Sequence, residues 1–373
     1  MQIKLVDLEK QYFRYKTEID NELGRVISST HFIQGPQVRS FESELSKFIN
    51  IPFCISCGNG TDALQIALMA CDLQENAEII IPAFSYVAPL EAAALLKLKP
   101  VLIDSDPTSF NIDPLKIPPL ITAQTKAVIP VHLFGQACDM ESIKKLTEKT
   151  GIKIIEDNAQ SLGSEHILKQ QKVNAGSVGD ISTTSFFPSK VLGCFGDGGA
   201  IFTSDNTLAQ KIKMIANHGQ AQKYQHEIVG VNSRLDTIQA AVLSVKLKYL
   251  VEDISKRQKV AEFYNEKFAV IEEIVTPVIS SGNSHVFHQY TLRIKKKRND
   301  LKKFLEENGI PSMIYYPVPL HLQKAYEYLG YKKGDFPVAE LLAEEVLSLP
   351  MHPDLNPEEL SYIANKLLAF FKA

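Results

Sequence analysis

Lys190 is the residue of this sequence best placed for covalent chemistry. It ends the run Thr184-Ser185-Phe186-Phe187-Pro188-Ser189-Lys190 and stands just ahead of Gly193-Cys194-Phe195-Gly196-Asp197-Gly198-Gly199. A lysine among apolar groups loses the hydration that stabilises its charge. Its pKa falls, and a neutral amine becomes available to form a Schiff base with an aldehyde. The glycines that follow let backbone approach a bulky ring closely. The structural alternative is a lysine snorkelling out of a packed loop. A second candidate closes the apolar run Lys153-Ile154-Ile155-Glu156-Asp157-Asn158-Ala159-Gln160. A buried Asp157 needs a cationic partner, and in the functional reading it keeps a pyridine nitrogen protonated so that the ring can take up electrons. In the plainer reading Asp157 or Asn158 caps a helix.

Gly58-Asn59-Gly60-Thr61-Asp62 follows a short apolar run and leads into a helical stretch at Ala63–Ala70. Free amides and the positive end of a helix converge there on a seat for an anion, although glycine-rich junctions of this kind are also built for structure alone. Neither G-x-G-x-x-G nor a Walker lysine is present, which disfavours a nicotinamide enzyme. Tyr86, in Pro82-Ala83-Phe84-Ser85-Tyr86, could lay its ring against a planar group or belong to the core. The cysteines Cys54, Cys57, Cys71, Cys138 and Cys194 are odd in number and scattered, which suits a reducing compartment. Cys54 and Cys57 have no second pair at zinc spacing and read as thiols on a strand, so no metal site is expected.

The elements that must position these residues follow from hydrophobic patterning. Short apolar runs at Phe53–Cys57, Glu78–Ile81, Pro100–Ile103, Ala127–Val131, Lys153–Ile155, Ile181–Phe187 and Gly199–Thr203 alternate with helical stretches. That alternation predicts a mostly parallel sheet covered by helices on both faces. Ligands in such sheets sit off the carboxyl ends of the strands, which selects the loops at Gly58–Asp62, Phe84–Ala88, Asp157–Gln160 and Ser185–Lys190. Four parts are expected: a helical arm over 1–50, a large α/β domain over 51–235, a long connecting helix over 236–270, and a smaller α+β domain over 271–373. In the last part the pattern predicts a strand at His288–Ile294, a helix over 298–308 and two helices over 336–371.

At 373 residues and 45% hydrophobic, the chain can bury more than one core. A net charge of −3 offers no pull toward nucleic acid or anionic membrane, and the basic run Lys295-Lys296-Lys297-Arg298 is short enough to be a solvated turn or helix start. The amino terminus turns charged at once, without the apolar stretch of a signal peptide, and no segment reaches the roughly 20 apolar residues of a membrane span. A soluble cytoplasmic protein is expected.

Taken in order, these segments resemble the DegT/DnrJ/StrS family of nucleotide-sugar aminotransferases, which share the aspartate aminotransferase (fold type I) architecture. The likeness also takes in Gly196-Asp197-Gly198-Gly199-Ala200, Asn217-His218-Gly219, Gly230-Val231-Asn232-Ser233-Arg234-Leu235-Asp236 and Tyr315-Tyr316-Pro317-Val318-Pro319-Leu320-His321. The resemblance implies pyridoxal 5′-phosphate bound to Lys190, with pyridoxamine 5′-phosphate during turnover. It further implies that Asp157 pairs with the ring nitrogen, Gln160 bonds the ring hydroxyl and Tyr86 stacks. The Gly60 and Thr61 amides with the Ser185 hydroxyl would hold the phosphate, and Asn232 would come from the second subunit of a homodimer. Arg234, Tyr316 and His321 stand as substrate-binding candidates. L-Glutamate would donate the amino group, leaving 2-oxoglutarate, and a nucleotide-linked keto-sugar would accept it. Among subgroups the chain looks most like the enzymes that aminate C3 of UDP-linked 2-acetamido-3-oxo sugars, with oxidised glucuronate the best-known acceptor. Tyr315-Tyr316-Pro317 departs from their His-Tyr-Pro, which leaves a neutral 3-oxo sugar or a dTDP-linked 3-keto-6-deoxy sugar open, and a protein of the same fold that holds the cofactor for sensing without turnover is the alternative to an enzyme.

Overall fold

The computed structural model describes residues 3–372. Two helices open the chain, α1 (Leu8–Ser29) and α2 (Pro36–Ile49). Asp7 caps α1 by accepting from the Lys10 amide, and Pro36 supplies the preset first position of α2. The alternating region then lays down β1 (Phe53–Cys57), α3 (Gly60–Ala70), β2 (Glu78–Pro82), α4 (Ala88–Leu95), β3 (Lys99–Ile103), β4 (Thr125–Val128), α5 (Met140–Thr147) and β5 (Lys153–Asp157). A small hairpin, β6 (Glu165–Leu168) and β7 (Gln171–Asn174), precedes β8 (Ile181–Ser185), β9 (Gly199–Thr203) and α6 (Asn206–Ala216).

Seven strands form one sheet in the order β1-β9-β8-β5-β4-β2-β3. From β8 to β3 all neighbours are parallel, as buried Ile- and Val-rich runs require. β9 runs antiparallel to both of its neighbours, which the apolar pattern could not reveal, because direction leaves no trace in burial. β4 ends at Val128, short of the expected Val131, because Pro130 lacks an N–H for the ladder. Likewise β8 stops at Ser185, where the chain turns into the loop bearing Lys190.

A second hairpin, β10 (Gln220–Gln222) and β11 (Gln225–His226), leads into α7 (Thr237–Leu247) and α8 (Leu250–Phe268). The single long helix expected across this region is broken at Lys248-Tyr249. There Tyr249 takes φ −105° and ψ −1°, and its ring stacks on Tyr15 of α1, 4.4 Å between centroids. The remaining elements are β12 (Ile274–Val275), β13 (Tyr290–Ile294), α9 (Arg298–Glu307), α10 (Pro337–Glu345), β14 (Val346–Leu349) and α11 (Pro357–Lys372). β12, β13 and β14 make a three-stranded antiparallel sheet whose apolar face is buried with α8, α9 and α11. β14 lies between the two expected helices, and its short apolar run was absorbed into them. α10 packs differently from expectation: Ala339, Leu342 and Ala343 join the core of the large sheet.

Candidate active site

The loops at the carboxyl ends of β1, β2, β5 and β8 converge on one cavity of about 440 Å³. At its floor is the start of α3. Asn59 caps that helix, its side chain accepting from the Asp62 amide at 2.8 Å, while Ala63 donates to the Asn59 carbonyl at 3.0 Å. The amides of Gly60 and Thr61 therefore have no acceptor within the helix and sit at its positive end. Gly60 presses on β8: a Cβ there would lie 2.7 Å from the Ser185 Cβ. Only glycine lets the Ser185 hydroxyl come up beside those amides.

The opposite wall holds the titratable pair. Asp157 ends β5, buried at 5% exposure, with its carboxylate accepting from the Ala159 amide at 3.0 Å. Burial raises its pKa, against the pull of that amide and of Lys190. Burial likewise pushes the Lys190 amine down to about 8, with Asp157 resisting. The backbone of Lys190 is fixed by a turn, its amide donating to the Phe187 carbonyl at 2.8 Å. Gln160 accepts from the Phe134 amide at 2.8 Å and donates to the Tyr316 hydroxyl at 3.1 Å, so both side chains are held in place. Tyr86 is 55% exposed at the mouth, its ring 6.1 Å from that of Tyr316.

Beneath Asp157 lies a buried polar support. The Glu156 carboxylate accepts from the amides of Gly176, Val178 and Gly179 and meets His132 Nε2 at 2.8 Å. His132 Nδ1 accepts from the Cys138 amide, so Nε2 carries the proton and donates to Glu156. The His132 amide also donates to the Asp157 carbonyl at 3.0 Å, which pins the end of β5.

Of the residues singled out in the sequence, Gly60, Thr61, Tyr86, Asp157, Gln160, Ser185, Lys190 and Tyr316 all line this cavity. Three do not. Asn232 is exposed in the segment that follows the hairpin, where it bridges to Asn217. Arg234 lines a separate cavity with Arg39, Glu42 and Lys213. His321, expected at the substrate, lies outside the cavity lining: its side chain is fully buried, bound to Glu340 at 3.0 Å and set against the Phe336 ring. It joins α10 to the core. Conversely, Tyr315, His288 and Gln289 line the cavity, the last two from the entry of β13. Two polar residues ahead of an apolar strand were the available signal, and the alternating pattern masked it. His288 is buried and neutral, its pKa driven well below the ordinary value by burial.

Pyridoxal phosphate fits these residues. Its phosphate matches two unpartnered helix-end amides and a hydroxyl. Its aldehyde matches an amine with a lowered pKa. Its ring nitrogen supplies the cation that a buried Asp157 lacks apart from Lys190. Among the described residues no cluster of metal-ligating side chains occurs, and no helix is long and apolar enough to cross a membrane.

Comparison with known proteins agrees. The family model described as the DegT/DnrJ/EryC1/StrS aminotransferase family matches residues 14–368. The chain is 44% identical to a pleiotropic regulatory protein of Geobacillus stearothermophilus, covering 100% of this chain and 99% of the relative. It is also 44% identical to the UDP-2-acetamido-2-deoxy-3-oxo-D-glucuronate aminotransferase of Pseudomonas aeruginosa, covering 98% and 99%. The crystal structure of NtdA from Bacillus subtilis with its bound cofactor PMP superposes with a TM-score of 0.90 at 32% identity, over 99% of this chain and 83% of that one. The chain therefore belongs to the DegT/DnrJ/EryC1/StrS aminotransferase family and is a transaminase that works with pyridoxal phosphate.

Proposed function

We propose that this sugar aminotransferase moves the amino group of L-glutamate onto the 3-keto carbon of a nucleotide-linked sugar, a UDP-2-acetamido-2-deoxy-3-oxo-hexose or -hexuronate, in the cytoplasm and for surface glycan synthesis. The observation that carries the reading is the single cavity shared by Lys190, Asp157 and the amino end of α3. The 44% identity to the Pseudomonas enzyme over nearly the whole chain supports the UDP-linked 3-oxo acceptor.

When bound, pyridoxal phosphate supplies an aldehyde that carries the amino group and a pyridine ring that takes up an electron pair. The Gly60 and Thr61 amides and the Ser185 hydroxyl hold its phosphate. Asp157 holds the proton on the ring nitrogen, where its own burial makes the pairing strong. Lys190 Nζ, released when donor binds, removes the α-proton of glutamate and later returns a proton to sugar C3. An amine whose pKa lies near 8 is suited to both tasks. Tyr86 covers the ring and Gln160 bonds its hydroxyl. Tyr316 and Tyr315 face the sugar. Asn232 and Arg234, which lie outside the cavity of their own chain, act in the site of a second subunit, Arg234 as the guanidinium for a sugar carboxylate.

The test is a two-stage assay. Glutamate alone should bleach the yellow protein, and a matched pair of UDP-linked 3-keto sugars, uronate and neutral, should restore the colour with an aminated product seen by mass spectrometry. Restoration by a dTDP-linked 3-keto-6-deoxy sugar alone would replace the UDP assignment, and failure to bleach with glutamate would remove it as donor.

A further inference from the structure

The loop that carries Lys190 has no regular structure, yet its path is tightly fixed. It leaves β8 and rejoins β9 through Phe186, whose amide donates to the Gly198 carbonyl at 2.7 Å and whose carbonyl accepts from Cys194 at 2.8 Å. Inside that closure the chain doubles back so closely that a Cβ on Gly193 would stand 2.3 Å from the Pro188 carbonyl oxygen. Lys190 is at the crest of this turn. Val191 and Leu192 anchor one side of it in the core. The carbonyl of Gly193 faces the other way, toward α1 and α7.

There it meets Lys246, near the end of α7, a cation buried at 5% exposure. Its ammonium donates to the Gly193 carbonyl at 2.7 Å and to Gln11 Oε1 of α1 at 2.8 Å, and lies over the Phe195 ring, 4.8 Å from the centroid. All three contacts are to neutral groups. No carboxylate bonds it directly: Asp253 and Arg14 act on its charge only from farther off and with opposite signs. Burying an ammonium without a carboxylate is costly, and an aliphatic side chain would fill this space more favourably. The second hold on the loop also comes from α7: Gln239, two turns earlier, accepts from the Phe195 amide at 2.8 Å and donates to the Phe195 carbonyl at 3.3 Å.

We propose that Lys246 is a positioning residue for Lys190, its ammonium clamping the Gly193 carbonyl to α1 so that the turn presents the Lys190 amine at one place in the cavity. The proposal rests on the reading of Lys190 as the cofactor-bearing lysine. If that reading failed, the wild-type protein would show no lysine-bound cofactor, an outcome distinct from any effect of Lys246.

Lys246→Met keeps the length of the side chain and removes its donors. In the holoenzyme the variant should shift or weaken the visible circular-dichroism band of the lysine-bound cofactor. It should also lower kcat by about tenfold or more while KM for the keto-sugar stays within about twofold, because misplacement of a reacting group is felt in the chemical step. A lower melting temperature with an unmoved band and unchanged kcat would reduce Lys246 to a structural role and overturn the proposal. Should Lys246→Met fail to fold, Gln11→Leu removes the anchor on α1 and leaves Lys246 in place. Its band should move in the same direction, and an unmoved band there overturns the proposal as well.

Discussion

Lys190 and Asp157 shift in opposite directions from one cause, burial without a sufficient counter-charge. Lys190→Ala should lose both the imine absorbance and transamination, with turnover falling by roughly 10²–10⁴-fold or more, since it removes both the covalent anchor and the proton carrier. Retained turnover would unseat the assignment. Asp157→Asn keeps the shape and removes the charge. It should leave cofactor bound but cut kcat by roughly 10²-fold or more, read by stopped-flow bleaching with glutamate. The lysine also predicts a pH effect on cofactor-free protein. Its folded value, about 8, lies below the ordinary 10.5, so between the two the unfolded chain holds more protons. Raising the pH through that window should therefore raise stability, and Lys190→Met should flatten part of the rise in urea midpoints measured across it.

The element that most directly supports this chemistry is the end of β5, where Glu156 and His132 lie wholly inside the protein. Burial alone would raise the Glu156 carboxyl, but bonds from His132 and from the Gly179 and Gly176 amides hold it below the ordinary range. His132→Leu removes one charge-assisted bond and the Cys138 contact, and should cost about 1.5–3 kcal/mol in denaturant unfolding. A change below half a kcal/mol would show the pair to be dispensable. Strands at this level were largely legible in the sequence, because buried parallel strands announce themselves as apolar runs bounded by glycine and polar turns. So were the loops at their carboxyl ends, and hence most of the cavity. What could not be read depended on contacts between distant segments. The break at Tyr249 comes with a stack on the distant Tyr15, the direction of β9 is set by its partners, and the position of His321 by Glu340 and Phe336. His288 and Gln289 reach the cavity only because the loop before β13 is drawn in by hydrogen bonds to Phe134 and Gly135.

At the scale of the whole molecule, Phe13, Tyr86, Phe187 and Phe195 are exposed aromatics, and Asn232 is exposed and outside the lining of its own chain's cavity. Both features suit the proposed homodimer with shared sites. Mixing Lys190→Ala with Asn232→Ala chains after reversible dissociation tests it. If Asn232 serves the partner, half the dimers are mixed and each of these holds one intact site, so activity should recover to about a quarter of wild type. If Asn232 serves its own chain, nothing recovers. The antiparallel setting of β9 has a broader consequence. Because β8 and β9 are adjacent and opposed, the strand pair and the loop between them form one hairpin, with the reactive lysine at its tip and the sheet register fixed behind it. Such a tip is an interchangeable tool on a fixed handle. A different side chain at position 190 would be presented from the same tip into the same cavity, so the reacting group could be exchanged by a single substitution without refolding the scaffold.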